Sequence, residues 1–366
     1  MRDAGRGSDP DPHVPRPVVL LLSHAAGATP AAQSRREQAL LEGAALGEFH
    51  LHLSTLAGTV LGLGAFHQQP RSPATEAGSL WRRRTGGCAV ACGAGFVLVT
   101  LGLPHRAALV ADAPEELRPE QVMNRCVRGL LAWLRRAGLD PLYPGLDAVT
   151  VARRVVARLG FAETRDGPTL FQAILARDGS FADTPSLLDR LDPDGRVPIR
   201  LVARDETTSL AELGRVAGEL DLAALAGEVA GAYAATFPQT IGEIAELDRE
   251  VTALLERADA VSGIPAPEPP DLPGTPTIEH GLLGPVAAAA RVDDAGRIAD
   301  FALAGDFLAP DWAVQELRER ITGAPATADA ARAAADAVLD GSRGYLLGLA
   351  PEALRRLLDR AIAEAA

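Results

Sequence analysis

The chain has 366 residues and a net charge of −12, and 47% of its residues are hydrophobic while 23% are charged. This length allows a large domain and a smaller one, and the composition is that of a folded protein. The acidic balance argues against a general nucleic-acid-binding protein, because no excess of basic residues neutralises phosphate groups. The three cysteines, an odd number, argue against a disulfide framework and predict a reducing compartment, the cytoplasm.

The N-terminal segment consists of a polar tail and a short apolar run. Residues 1–16 are rich in Asp, Gly, Pro and Arg, which is typical of a disordered tail. The run Val18–Leu22 is too short for a membrane-spanning helix and short for a signal sequence. It therefore predicts a buried first strand, and we expect no membrane association.

Hydrophobic periodicity predicts interspersed strands and helices over residues 17–260, which we assign to one large domain. The clearest helix has Pro119 near its start and Gly138 just after its end. Strands are predicted at 49–53, 59–64, 88–92, 96–101, 147–151, 154–159 and 170–176. Helices are predicted at 33–46, 119–137, 208–219, 221–237 and 240–258.

A proline-rich stretch marks the boundary of a second domain. Residues 263–276 contain six prolines and can form neither a helix nor the interior of a sheet. We therefore place a linker at 261–276 and a small α+β domain at 277–366. Within this domain the pattern predicts two strands between residues 284 and 304, and helices at 310–322, 326–339 and 351–365.

The segment Arg82–Gly87 carries the strongest chemical signal in the chain. Its adjacent glycines allow the backbone to approach a ligand closely, with N–H groups free to bind an anion. Arginine donates planar, bidentate hydrogen bonds to phosphate or carboxylate, and Thr85 adds a hydroxyl. The alternative is a solvated run of arginines before a hairpin turn. The segment matches neither a Walker loop nor a Rossmann fingerprint.

The extended segment Arg82–Val90 resembles the signature of lipoate–protein ligase A and of its biotin-ligase and octanoyltransferase relatives, Arg-Arg-x-Ser/Thr-Gly-Gly-Gly-Ala-Val-aromatic-His. Other segments of this chain are similar to further parts of that family: Glu37–Glu42, Val60–Gln68, Asp147 with Val151–Val155, Gly296–Asp300 and Gly305–Phe307. The resemblance covers nearly the whole chain. It implies a class II synthetase-like or biotin-ligase-like domain with a mixed sheet, followed by the small α+β accessory domain.

The resemblance also implies a reaction and its participants. Lipoate or octanoate would be activated with ATP and Mg²⁺ to an acyl-adenylate, and the acyl group would pass to a lysine of a carrier domain. That carrier would be a lipoyl domain of a 2-oxo-acid dehydrogenase complex or the glycine-cleavage H protein. The acyl-adenylate would contact Arg82, Arg83, Arg84, Thr85, Gly86, Gly87, Cys88, Cys92 and Asp147. Further candidates for contact are His67, Leu146 and Arg153.

Several positions depart from the family pattern. The family's catalytic lysine lies seven residues after the motif aspartate, and counting from Asp147 places Arg154 there. Arginine keeps the charge but is bulkier, so acid activation could survive while acyl transfer slows. Cys88 replaces the third glycine, Cys92 replaces the histidine, and Leu146 replaces an asparagine.

Three hypotheses follow. The first, which we favour because the architecture is intact, is a ligase that uses Arg154 in place of lysine. The second is a non-catalytic relative that binds the acyl group, its adenylate or a lipoyl domain. The third is an acyltransferase with Cys92 as nucleophile. All 36 basic residues are arginine, which either reflects drift in base composition or protects the chain from acylation by its own intermediate.

Overall fold

The computed structural model of the chain describes residues 17–70, 78–110, 117–192, 195, 206–215, 219–247, 268–341 and 343–365. The tail predicted at residues 1–16 and the whole segment 248–267, which contains the rest of the predicted helix 240–258 and the start of the predicted linker 261–276, lie outside these ranges. None of the helices in the described ranges is long and apolar enough to cross a membrane.

The described residues form fourteen strands and seven α-helices, numbered here in chain order. Strands β1 to β14 are Val18–Ala28, Phe49–Leu56, Thr59–Leu63, Ser79–Arg82, Val90–Gly93, Phe96–Leu103, Pro141–Leu142, Ala148–Val151, Arg154–Glu163, Thr169–Ala176, Ile241–Glu246, Thr277–His280, Pro285–Val292 and Ile298–Gly305. Helices α1 to α7 are Pro30–Ala45, Pro119–Arg136, Thr184–Leu191, Leu222–Thr236, Asp311–Ile321, Ala328–Val338 and Pro351–Ala365.

An eight-stranded mixed sheet, in the order β11-β1-β2-β6-β10-β9-β8-β7, forms the centre of the larger domain. Strand β6 is apolar on both faces because both faces are covered. Val97, Val99 and Leu101 pack into one core with α2 and α4, while Phe96 and Leu98 pack into a second core with the small sheet β4-β3-β5. This alternation of neighbours is the period of two expected of a strand.

Helix α1 packs closely against the sheet. A side chain at Gly102 of β6 would place its first carbon 2.8 Å from the carbonyl oxygen of Leu40, so glycine is required for this approach. The close packing brings the polar side chains of α1 towards the strands and towards the loop that follows β4.

The accessory domain consists of the sheet β12-β13-β14 and helices α5, α6 and α7. Its core contains Val286, Phe301, Leu317 and Leu357, and Phe66 of the larger domain packs into the same core. The two domains therefore share an apolar contact beside the segment Arg82–Gly87.

Two of the predicted helices are wrong over their described residues. Residues 210–214 form turns within the range predicted as helix 208–219, where the amides of Thr208 and Leu210 donate to the carbonyls of Val155 and Ala176. Residues 241–246 form β11, parallel to β1, within the range predicted as helix 240–258. In both places, hydrogen bonds to strands outweigh the local helical pattern.

Candidate active site

The loop Arg82–Gly87 passes between the larger domain and the accessory domain. The amide of Gly86 donates to the carbonyl of Phe161 at 3.2 Å, and the amide of Gly87 donates to the carbonyl of Phe307 at 2.8 Å. Gly87 has a φ of +94°, and a side chain at Gly86 would lie 2.5 Å from the carbonyl oxygen of Phe307. Both positions therefore require glycine.

Arg82 anchors the strand that precedes this loop. Its Nη1 donates to the carbonyls of Gly64, Ala65 and His67, at 3.3, 3.0 and 2.7 Å. Its Nη2 donates to the side chain of Gln69. Burial lowers the pKa of Arg82 to about 10, which still leaves the guanidinium charged at neutral pH. Its donors thus hold the chain around β3 and β4 in place.

Arg83 and Arg84 also bond protein atoms. The guanidinium of Arg83 donates to the hydroxyl of Thr85 and to the carbonyl of Cys88, and the guanidinium of Arg84 donates to the side chain of Gln38. In this conformation the loop has the positive charge that an anion requires, but its donors stabilise the loop itself. The assignment of the three arginines to ligand binding stays a prediction.

Glu37 of α1 fixes the loop from the other side. One of its carboxylate oxygens accepts from the amide of Arg84 at 3.2 Å, and the other accepts from the side-chain amide of Gln172 at 2.6 Å. Burial raises the pKa of Glu37 to about 6, although these hydrogen bonds and Arg84 oppose the shift. The sequence indicated helix α1 but did not indicate this role of Glu37.

Asp147 forms a buried ion pair with Arg158. The Nη1 of Arg158 lies 3.2 and 3.3 Å from the two carboxylate oxygens of Asp147, and the exposed fractions of the residues are 3% and 0%. Burial would lower the pKa of Arg158, but the carboxylates of Asp147 and Asp306 help to raise it, and the net shift is upward. A permanent positive charge therefore lies one residue from the strand segment 159–161, which contacts Gly86 and Gly87.

Arg154 lies at the far end of the same β8–β9 hairpin. Its side chain is 38% exposed and lies 3.5 Å from the carboxylate of Glu212. Ala152 and Arg153 form the turn, with φ of +49° and +67°, so the strands pair Ala148 with Arg158 and Val151 with Arg154. Four residues of strand separate the two arginines, about 13 Å. The pairing of β8 with β9 therefore places Arg158, and not Arg154, beside Asp147.

His67 connects the two domains. Its Nε2 lies 2.8 Å from a carboxylate oxygen of Asp306, and both residues are fully buried. The rings of Phe66 and Phe307 stack beside this contact with centroids 4.5 Å apart. The sequence predicted no such role for Asp306, because 239 residues separate it from His67.

Burial makes the cysteines poor nucleophiles. It raises the pKa of Cys92 to about 12 and raises that of Cys88 as well. The Sγ of Cys92 lies 3.2 Å from the point where a side chain at Gly62 would begin, so it packs inside the small sheet. Both thiols are free and buried, as is that of Cys126. These properties argue against a thiolate at Cys92.

An apolar cavity of about 420 Å³ lies between the domains. Leu146, next to Asp147, forms part of its wall, and so does Leu308, whose side chain lies close to Gly87. Charged groups at its lining are Glu120, Asp336 and Arg355. The cavity therefore has an apolar wall at Leu308, beside Gly87, and another at Leu146, the residue before Asp147.

No protein-family model matches the chain, and no curated protein sequence does. The structure is similar to that of LipL1 from P. falciparum in complex with lipoate, with a TM-score of 0.55 and 17% identity over 84% of this chain and 89% of that one. The chain has the fold of the lipoate–protein ligases. The predicted fold class, a large domain with a mixed sheet and a small α+β accessory domain, is therefore confirmed.

Two other solved structures have lower TM-scores. One is a bi-partite lipoate protein ligase from Thermoplasma acidophilum, described together with its E2 lipoyl domain. The match covers 66% of this chain and 91% of that one, with 15% identity and a TM-score of 0.45. The other is biotin protein ligase from Leishmania major in complex with biotinyl-5-AMP. The match covers 79% of this chain and 96% of that one, with 12% identity and a TM-score of 0.29.

In this ligase fold, some predicted site residues come together and others do not. Gly86, Gly87, Cys88 and Asp147 lie in one region, because strand β9 contacts the loop and the charge of Asp147 acts on the Cys88 thiol. Arg153 and Arg154 lie at the hairpin turn, away from Asp147. In a hairpin with a two-residue turn at Ala152–Arg153 and no bulge, Arg158 lies opposite Asp147, so the position of this turn would have predicted Arg158 as its neighbour.

Proposed function

We propose that this chain is a lipoate–protein ligase-like enzyme that activates lipoate or octanoate with ATP and transfers the acyl group to a lysine of a lipoyl carrier domain. The observation that carries the proposal is the buried Arg158–Asp147 pair beside the Gly86–Gly87 loop, within a lipoate-ligase fold. A fixed cation in a dry site is what the meeting of a carboxylate and a triphosphate requires.

The first step joins the acid to AMP. A carboxylate oxygen of the acid attacks the α-phosphorus of ATP, the bond from that phosphorus to the β-phosphate oxygen breaks, and pyrophosphate leaves. Negative charge builds up on the α-phosphate oxygens. Arg158 stabilises this charge, and Asp147 holds the guanidinium in position.

The second step transfers the acyl group. The amine of the carrier lysine attacks the acyl carbonyl carbon, the bond from that carbon to the phosphate oxygen of AMP breaks, AMP leaves, and one proton of the amine is lost to solvent. The carrier would be a lipoyl domain or the glycine-cleavage H protein, as the resemblance implies, and the reaction would take place in the cytoplasm.

The apolar cavity fits the acyl chain. Leucine is the most frequent residue in its walls, and one of these leucines, Leu308, packs near Gly87 of the loop where the carboxylate would be activated. An aliphatic chain buried there would gain roughly 0.8 kcal/mol for each methylene group.

The part of the chain that the structure describes shows no metal site of its own. Among the described residues, no group of three or more His, Cys, Asp or Glu side chains could hold a metal ion, and the carboxylate of Asp147 already bonds Arg158. We assign no protein ligand to Mg²⁺, which would arrive on the nucleotide phosphates.

One experiment tests the function and the role of Arg158 together. The full chain is incubated with ATP, lipoate and an apo lipoyl domain, while pyrophosphate release and mass gain of the domain are measured separately. We expect Arg158→Met to lower the rate of pyrophosphate release by about 100-fold or more, because a fixed charge on the phosphate is lost. Arg154→Met is the matched control and should retain the rate within about threefold. Equal losses in the two variants would contradict the role of Arg158.

The second candidate function is a non-catalytic relative that binds the acyl group, its adenylate or the lipoyl domain. The closed loop favours it, because the amide of Gly87 is bonded to Phe307 and the arginines bond protein atoms. In the same assay, tight binding of lipoate without pyrophosphate release would support this candidate. Pyrophosphate release without mass gain would indicate that only acid activation survives.

A further inference from the structure

Helix α2 and its N-cap carry a line of arginines on their solvent face. Arg118, Arg128, Arg135 and Arg136 are exposed and Arg125 is half-buried, whereas Val122, Cys126 and Leu130 on the opposite face are buried in the core. Successive members are spaced to lie within about a third of the helix circumference, over a length of about 27 Å. We call these five residues the arginine stripe.

Within the described residues, the arginine stripe has no ion-pair partners. Five arginines of the accessory domain, in contrast, are paired with carboxylates as follows: Arg318 with Asp300, Arg320 with Glu316, Arg332 with Asp359, Arg355 with Asp336, and Arg356 with Glu279. Glu120 is the one acidic residue between Arg118 and Arg136. Arg125 and Arg128 are three residues apart on the helix, so their like charges lie close together. Burial, and after it the charge of Arg125, lowers the pKa of Arg128.

Repulsion between the neighbouring guanidinium groups of the arginine stripe is unfavourable in the free chain. The positive charge of this surface also contrasts with the net charge of the whole chain, −12. A concentrated positive surface on an acidic protein attracts an acidic partner and orients its approach. A protein domain fits better than a nucleic acid, because the remaining acidic surface repels an extended polyanion that would run beyond one helix.

The position of the stripe connects it to the proposed reaction. Glu120 and Met123, in the first turns of the same helix, line the apolar cavity. We infer that the arginine stripe is the docking surface for the carrier domain, and that this carrier presents an acidic face to α2. The inference rests on the proposed function for the identity of the partner, while the surface itself follows from the geometry of α2.

The test measures binding of the full chain to an apo lipoyl domain of net negative charge. Arg128→Glu should raise the Kd about fivefold at low salt, and Arg125→Glu with Arg128→Glu should raise it about 25-fold, because each reversal replaces attraction with repulsion. At about 0.5 M NaCl these differences should nearly vanish. The matched control is Arg291→Glu, an exposed arginine of β13, which should leave the Kd unchanged. All substitutions are at exposed or half-exposed positions, and thermal unfolding checks that each variant is folded.

Several outcomes would overturn the inference. These are an unchanged Kd in the double variant, an equal loss in Arg291→Glu, or no binding by the unsubstituted chain. Stripe-dependent binding of a double-stranded RNA oligonucleotide or of phosphatidylserine vesicles that exceeds binding of the domain would also contradict it. Pyrophosphate release from ATP and lipoate is measured in parallel and should not change. Stripe-dependent binding without pyrophosphate release would refute the proposed enzyme and leave the docking surface standing.

Discussion

At the residue scale, Arg158 and Arg154 share one hairpin and one side-chain type but differ in burial. Removing Arg158 leaves the carboxylate of Asp147 buried without its partner, so we expect Arg158→Met to lower the free energy of unfolding by about 3–5 kcal/mol. Arg154→Met breaks a partly exposed pair with Glu212 and should cost less than about 1 kcal/mol. Urea unfolding of both variants measures the difference.

The Arg158 comparison includes a control for the cause of the loss. Replacing Asp147 as well, in Arg158→Met with Asp147→Leu, removes the unpaired charge and should recover part of the lost stability. Midpoints that are equal for the Arg158→Met and Arg154→Met variants would mean that the Asp147 pair contributes no more than a surface contact.

Cys92 is the residue on which the acyltransferase hypothesis depends. With a pKa of about 12, the thiolate fraction at pH 8 is about one in ten thousand, and the thiol is buried. We expect iodoacetamide to leave Cys92 unmodified in the native chain at pH 8, as mass spectrometry of peptides would show. The chain unfolded in guanidinium chloride, in which all three cysteines should react, is the control. Rapid native labelling, or a thioester trapped on Cys92, would revive that hypothesis.

The sequence predicts Asp147 and the Gly86–Gly87 pair as site residues but does not predict the cation that lies beside Asp147. The prediction of Arg154 rests on its distance along the chain from Asp147, seven residues. The β8–β9 hairpin reverses the chain at Ala152–Arg153, so spatial neighbours of Asp147 are found eleven or twelve residues later, at Arg158 and Leu159. A count of residues along the chain cannot show this unless the position of the turn is known, and the bulge between Val149 and Thr150 then shifts the pairing of the two strands by one residue.

At the element scale, helix α1 controls the loop through a carboxyl group whose pKa is raised to about 6. The folded chain therefore holds the proton of Glu37 more tightly than the unfolded chain does. As the pH rises from about 4.5 to 6, the titration of Glu37 therefore lowers the free energy of unfolding. Above about pH 6 the ionised, buried carboxylate lowers it by the full amount, about 2 kcal/mol.

The variant Glu37→Gln removes this titration. We expect the difference in unfolding free energy between the unsubstituted chain and the variant to change by about 2 kcal/mol between pH 4 and pH 7, in favour of the variant at the higher pH. Glutamine keeps one oxygen for the amide of Arg84 or the side chain of Gln172 but not for both, so a constant offset is added. A difference curve that is flat over this range would show that Glu37 titrates at its ordinary pKa.

The contact between the domains depends on Asp306 at the end of β14. Asp306→Ala leaves the Nε2 of buried His67 without its partner, and we expect a loss of about 3 kcal/mol in unfolding free energy. Asp300→Ala, on the same strand, breaks an exposed pair with Arg318 and should cost less than about 1 kcal/mol. Chemical denaturation compares the two, and similar losses would argue against a special contribution of the His67–Asp306 contact.

Among the elements, helices α2, α4 and α7 were predicted nearly to their ends, because their apolar periodicity and terminal residues agree with the structure. Strand β11 was mistaken for a helix, since the alanines and glutamates around it favour a helix locally. Pairing with β1, which lies more than 200 residues earlier, decides its conformation. Strand β4 was also missed, because its short segment ends in the arginines that were assigned to the loop.

At the scale of the whole molecule, the accessory domain covers the loop that the larger domain presents. The amide of Gly87 donates its hydrogen bond to the carbonyl of Phe307, and Leu308 packs against the same glycine. The amide of Gly87 could bind a ligand only if Phe307 and Leu308 moved away from it. The sequence could indicate both segments but not this arrangement, because it joins residues about 220 positions apart.

None of the 366 residues is a lysine, so these residues offer no lysine amine that an activated acyl group could modify. If protection is the function of this absence, a lysine placed at the cavity should be acylated. We expect Arg355→Lys, at the cavity lining, to gain the mass of a lipoyl group on residue 355 when incubated with ATP and lipoate. Arg291→Lys, exposed on the accessory domain, is the control and should gain far less. Peptide mass spectrometry distinguishes the sites. Pyrophosphate release without any label on residue 355 would favour drift in base composition as the reason that lysine is missing.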